Sequence, residues 1–275
     1  MKIFKRSFVK FTAIISLALI GFAGLAYAAG GGSSDYKMKH PHWHFKGAFG
    51  TFDRAAAQRG YQVYREVCAA CHSLNHVSFR HLGDKGAPFF DEKYPNPNDN
   101  PLVKAFAADW TIADIDTDSG DVIDRPGITA DKFPPIFANS AAAAAANGGA
   151  IPPDLSSIVA ARGGGADYIY NLLTAYNLTP PEGYELSPGT HYNPVMEGGA
   201  IAMAPPLFDD LVEYGDGTAA TIDQMALDVT EFLAWSSDPK MEQRKFIGFG
   251  TMIFLLILSI LLFFSYKEVW RDVEH

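Results

Sequence analysis

The chain has 275 residues, 48% hydrophobic and 19% charged, with 22 basic and 31 acidic side chains and a formal charge of −9. That length and apolarity exclude a disordered chain and predict one medium domain or two small ones. The acidity argues against a nucleic-acid binder, which needs a basic face, and two cysteines exclude a disulfide-dense scaffold or a four-cysteine metal site.

In chain order, Lys2, Lys5, Arg6 and Lys10 precede the apolar run Phe11 to Phe22, and Ala26-Tyr27-Ala28 is a small-x-small cleavage site. This layout predicts a secretory signal peptide over 1–28 rather than a first membrane helix. A mature chain from Ala29 is then expected in the bacterial periplasm. Removing 1–28 takes away four positive charges, leaving 18 basic against 31 acidic residues, net −13. His40, His42 and His44 alternate and read as a solvated extension in preference to a metal site. Asp53 is the expected N-cap of a helix through Tyr61, Tyr64, Val67 and Cys71. Pro88, Pro95, Pro97 and Pro101 break the next region. Asp114-x-Asp116-x-Asp118 opens like a calcium loop, but glycine falls at the seventh position, Gly120, and Arg125 stands where a bidentate glutamate belongs; an acidic surface is expected there.

Ala141–Ala146 is helical by propensity and is stopped by Asn147-Gly148-Gly149. Asp154 is expected to start a short helix, and Asp167 to lie near the start of one reaching Tyr176. Gly163-Gly164-Gly165 lacks the Lys and Ser/Thr of a phosphate loop. Thr221 with Gln224 forms a predicted capping box before Ile222, Met225, Val229, Phe232 and Leu233 on one face. Asp238-Pro239 ends that helix. Phe246 to Tyr266 is 21 residues without a charge, about 31 Å as a helix and long enough to span a bilayer. The expected organisation is one domain over 29–240 on the periplasmic side, a transmembrane helix over 246–266 and a cytoplasmic tail over 267–275. Strand-like alternation is scarce, so the soluble part is predicted to be all-α and loop-rich.

Cys68-Ala69-Ala70-Cys71-His72 is a C-x-x-C-H haem-attachment motif. Two thiols three residues apart on a helix can add to the two vinyl groups of one haem, and the adjoining His72 then supplies the proximal imidazole. A thioredoxin-type redox pair is the rival reading, but it needs no histidine. The sixth ligand is left among several candidates. Met252 lies in the membrane segment, Met241 beside it, and Met225 is a core position; Met38 has no special context. Met203, followed by Pro205-Pro206 in a stiff extended loop, is favoured over Met196, and His76, His81 or His191 would make a bis-His site. A methionine ligand suits electron transfer, because it stabilises ferrous iron and closes the iron to other ligands. A weakly held sixth position would instead suit a membrane-tethered haem sensor.

Beyond this motif the chain resembles the cytochrome c1 family. The resemblance is carried by Phe49-Gly50-Thr51-Phe52-Asp53, Arg59-Gly60-Tyr61-Gln62-Val63-Tyr64, Arg125-Pro126-Gly127, Pro152-Pro153-Asp154-Leu155-Ser156, Ala161-Arg162, Asp167-Tyr168-Ile169 and Ile201-Ala202-Met203. It implies a class I-like cytochrome c domain with one covalent haem c, axial ligands His72 and Met203, and Arg162 and Tyr168 on the haem-propionate side. It further implies a subunit of a quinol–cytochrome c reductase in the bacterial inner membrane. The implied partners are cytochrome b, a Rieske iron–sulfur protein as donor, a soluble or membrane-bound cytochrome c as acceptor, and the lipid bilayer, in a dimeric complex. A c-type subunit of a terminal oxidase is the alternative assembly. Two departures stand out: the extra cysteine pair of some bacterial relatives is missing, and Ala204 replaces a family proline.

Overall fold

The computed structural model describes residues 36–273. The expected signal peptide lies outside the described residues. The fold is mostly helical around two crossing helices, α1 (Arg54–Glu66) and α6 (Ile222–Ser237). Asp53 caps α1 as expected, accepting from the Ala56 amide at 3.1 Å. The helix ends at Glu66, however, and does not run on through Cys71. Gly60 sits at the crossing: a Cβ there would lie 2.0 Å from the Asp228 carbonyl oxygen. Beside it Arg59 donates twice to the fully buried Asp228, at 2.9 and 2.8 Å. Such a fork fixes the rotation of one helix against the other. Tyr61 and Tyr64 of α1 meet Phe232 of α6 with ring centroids 5.6 and 5.7 Å apart, and Phe79, Phe133 and Leu82 extend this core.

Thr221 caps α6 through the Gln224 amide at 3.1 Å, but the Gln224 side chain turns to Asp228 instead of closing the box. The other short helices are α2 (Pro101–Ala108), α3 (Ser140–Ala146), α4 (Ile158–Ala161) and α5 (Gly165–Thr174). α3 is the predicted alanine helix, with Asn139 as its N-cap and Gly148 and Gly149 at positive φ beyond it. α4 and α5 pack on α6.

The all-α expectation is corrected by two small antiparallel ribbons. β1 (Thr111–Ile115) pairs with β2 (Val122–Pro126), Thr111 opposite Pro126, and β3 (His191–Tyr192) pairs with β4 (Ala200–Ile201). β-branched Thr111, Ile112, Ile115, Val122 and Ile123 favour extended backbone, and Gly120 at φ 80° makes the turn. The acidic composition of the segment hides that alternation. Arg125 crosses the ribbon to Asp114 at 2.5 Å and reaches Asp131 at 2.6 Å, so the carboxylate that opens the calcium-like run, Asp114, is tied to a guanidinium.

His40, His42 and His44 are exposed, as the solvated-extension reading expects, but their segment does not extend free of the domain. Residues 36–46 form an arm docked on α5. Tyr36 Oη and the Lys39 amide both donate to Asn171 Oδ1 at 2.9 Å. Trp43 Nε1, at 2.5 Å, His40 Nδ1, at 2.9 Å, and Lys46 Nζ, at 3.0 Å, converge on Asp167. Burial raises the Asp167 pKa, but these hydrogen bonds outweigh it and hold the carboxyl below the usual carboxylate range. α7 (Met241–Val269) contains the uncharged stretch 246–266; its mean hydropathy reaches 2.7 and it is long and apolar enough to cross a membrane. Its first turn belongs to the domain: Met241 is buried, and Glu242 accepts from the Phe52 amide at 2.8 Å.

Candidate functional site

Cys68 opens a short 3-10 turn (Cys68–Ala70) directly after α1. Residues three apart eclipse in such a turn, so Cys68 and Cys71 leave it along one edge. The amides of Cys71 and His72 both donate to the Cys68 carbonyl, at 3.1 and 2.9 Å. Both cysteines are free and half-buried. Burial, and then the neighbouring Cys71 charge, push the Cys68 thiol up to about 12. A redox pair needs an attacking thiol with a depressed pKa, so this environment speaks against the thioredoxin-like reading.

His72 Nδ1 lies 2.8 Å from the Pro153 carbonyl oxygen. A carbonyl only accepts, so Nδ1 carries the proton and the Nε2 lone pair is left for a ligand. Burial lowers the His72 pKa, against the opposing pull of the Pro153 carbonyl and the Asp154 charge. The ring is therefore neutral at neutral pH, the form that ligates iron.

The Pro153 carbonyl is held by its neighbours. Asp154 Oδ2 accepts from Ser73 Oγ at 3.0 Å and the Asn75 amide at 2.7 Å, while Oδ1 accepts from the Ser156 amide at 2.8 Å. Leu155 N donates to the Ser73 carbonyl at 2.9 Å. Ser156 ties the loop to α6, its carbonyl accepting from Ser236 Oγ at 3.0 Å. Asp154 thus braces a turn and does not start a helix, as the sequence suggested; α4 begins later, at Ile158. Burial raises the Asp154 pKa, and its hydrogen bonds more than reverse that.

Among the methionines, Met225 and Met241 are buried in the core and Met252 is exposed on α7. Met203 is half-buried two residues beyond β4, and its carbonyl accepts from Tyr176 Oη at 3.1 Å. Asn193, next to β3, donates to the Leu172 carbonyl at 2.8 Å, so α5 carries the ribbon that presents Met203. Met196 lies between β3 and β4, with its sulfur 3.7 Å from Tyr168 Oη. Tyr168 is thus directed at a methionine sulfur. Arg162 follows α4 on the surface and has no polar side-chain partner among the described residues. His76 is exposed, His81 Nδ1 accepts from the Ser78 amide at 3.1 Å, and His191 lies in β3.

The residues fit a covalently bound haem. Two thiols share one edge of a turn, the next imidazole offers Nε2, and an unpaired guanidinium suits a carboxylate such as a propionate. The Pro153 carbonyl, a backbone group, has no signature in the sequence beyond the Pro-Pro-Asp run that contains it.

Fold and site together define the class: a c-type cytochrome, mostly helical, with one apolar C-terminal helix. A model of the Cytochrome C1 family matches residues 43–273. The mitochondrial cytochrome c1 heme protein of Saccharomyces cerevisiae is 47% identical over 232 residues, covering 84% of this chain and 72% of the yeast protein. Cytochrome c1 of Rhodospirillum rubrum is 39% identical over 283 residues, covering 96% of this chain and all of that one. Cytochrome b/c1 of Bradyrhizobium diazoefficiens is 40% identical over 285 residues; 96% of this chain is matched, but the chain spans only 40% of that longer protein. The chain belongs to the cytochrome c1 family.

Proposed function

We propose that this chain is the electron-transfer subunit of a quinol–cytochrome c reductase, taking electrons from a Rieske iron–sulfur protein and passing them to a c-type cytochrome. Haem c supplies the one-electron ferric–ferrous couple when bound. Cys68 and Cys71 hold it as thioethers. His72 would bind iron through Nε2, with its ring oriented by the Pro153 carbonyl, and Met203 would supply a thioether ligand to the iron. The thioether favours ferrous iron and keeps other ligands out. Arg162 neutralises a propionate, with Tyr168 as a second contact. α7 spans the inner membrane, with 29–240 on the periplasmic side and 267–275 in the cytoplasm, in a dimeric complex. Relatives named cytochrome b/c1 and cytochrome b-c1 complex catalytic subunit support cytochrome b as partner.

The observation that carries this reading is the His72–Pro153 hydrogen bond of 2.8 Å, which dedicates Nε2 to ligation. The test is redox titration of the haem-loaded chain. Met203→Leu is expected to keep the haem attached while the potential drops by a sizeable part of the ~0.8 V range that axial ligands command. Met196→Leu should leave it near the parent value. An unchanged potential in Met203→Leu, with a drop in Met196→Leu, would reassign the ligand.

A further inference from the structure

The loop 45–50 stands against the start of α7. Lys245 Nζ donates to the Phe45 carbonyl at 2.6 Å and the Gly50 carbonyl at 3.0 Å, bracketing the loop at both ends. Gly47 turns it at φ +85°, and a Cβ on Gly50 would lie 2.2 Å from the Lys46 carbonyl oxygen. Phe45 packs on Phe52, ring centroids 5.5 Å apart, and Trp43 fixes the incoming chain on Asp167. The tip residue Phe49 is nevertheless 76% exposed, and its ring meets Phe249 of α7 edge-on at 5.4 Å.

We infer that this loop is a membrane foot: Phe49 enters the lipid at the bilayer interface beside Phe249 and sets the height of the domain above the membrane. The inference rests on α7 being the membrane anchor. Lipid is the occupant the surroundings favour, because the Phe249 ring belongs to a helix exposed and apolar on all sides along the span. Phe249 lies three residues inside Phe246, about 4.5 Å into the apolar stretch. At the far end Tyr266 and Trp270 form a second ring pair, centroids 6.2 Å apart. Tyr266 and Trp270 mark one end of the span as interfacial aromatics do; the purely apolar Phe49–Phe249 pair marks the other, and one of its members comes from the haem domain.

The test uses the full haem-loaded chain in phosphatidylcholine–phosphatidylglycerol nanodiscs, each collision rate being the difference with and without the reagent. Cys68 and Cys71 are taken up as thioethers, so Phe49→Cys supplies one free thiol for a spin label; Ser119→Cys and Leu262→Cys are the references. Collisions with oxygen, which concentrates in lipid, are compared with those of a water-soluble nickel chelate. The expected result is an oxygen-to-nickel ratio at 49 shifted from the Ser119 value toward the Leu262 value. A ratio at 49 equal to that at Ser119, with Leu262 deep, overturns the foot and leaves the anchor standing. Low collision with both reagents at 49 means protein covers Phe49 and also overturns it. A water-like ratio at Leu262 overturns the anchor and the foot together.

Discussion

At the scale of single residues, the site depends on Asp154 as much as on the C-x-x-C-H motif. Its carboxylate gathers Ser73, Asn75 and Ser156, and those bonds keep the Pro153 carbonyl under His72 Nδ1. Asp154→Ala is expected to cost about 1–2 kcal/mol, the loss for donors left without a partner in a half-buried place, and to alter the visible haem spectrum. Asp154→Asn, which keeps an acceptor, should lose less. Denaturant midpoints and the visible spectrum check both. Because the folded pKa is depressed, the carboxylate's contribution is present above the ordinary range of about 4 and is lost as pH falls through the lower folded value. A midpoint unaffected by Asp154→Ala would remove Asp154 from the support of the site.

At the scale of elements, the helices were legible where a cap and an apolar face coincide: Asp53 and α1, Asn147-Gly148-Gly149 closing α3, Thr221 and α6. What escaped was set by long-range partners. The end of α1 at Glu66 is a local exception, where periodicity runs smoothly on into the Cys68–Ala70 turn; the docking of Tyr36 on Asn171, 135 positions away, is one case. The docking of His40 on Asp167 is another, because the two are 127 positions apart. C-x-x-C-H was legible because its spacing is local, whereas the Pro153 carbonyl enters from a separate loop. The α1–α6 pair also carries a buried carboxyl, Glu231, which accepts from the Asp53 amide at 2.8 Å. Burial, with the nearby Asp53 and Asp228 charges, raises its pKa to about 7. The folded state therefore holds a proton that the unfolded chain releases near pH 4.5, and stability falls as pH rises from about 4.5 to about 7. Glu231→Gln keeps the acceptor and removes the charge. It should abolish that slope and stabilise the domain by about 3 kcal/mol at pH 8, from the shift at 1.36 kcal/mol per pKa unit. Urea midpoints at about pH 5 and about pH 8 measure it; the same slope in parent and variant would contradict it.

At the scale of the whole molecule, domain and anchor are not joined by a loose linker. Glu242 and Lys245 lie on α7 yet bind Phe52, Phe45 and Gly50 of the domain. Deleting 246–275 should therefore release a soluble, haem-loaded domain as stable as the parent. Deleting everything after Asp238 should release one with a lower thermal midpoint, because Met241, Glu242 and Lys245 go with the anchor. Equal midpoints would mean that the first turn of α7 contributes nothing. Both predictions presuppose a haem bonded to the chain itself, and that is tested most directly by extracting the denatured, purified protein with acidified acetone and recording the pyridine haemochrome of each fraction. The colour is expected to stay with the polypeptide, with a spectrum of two thioether links that shifts to one in Cys68→Ala. Colour passing into the acetone would contradict the account.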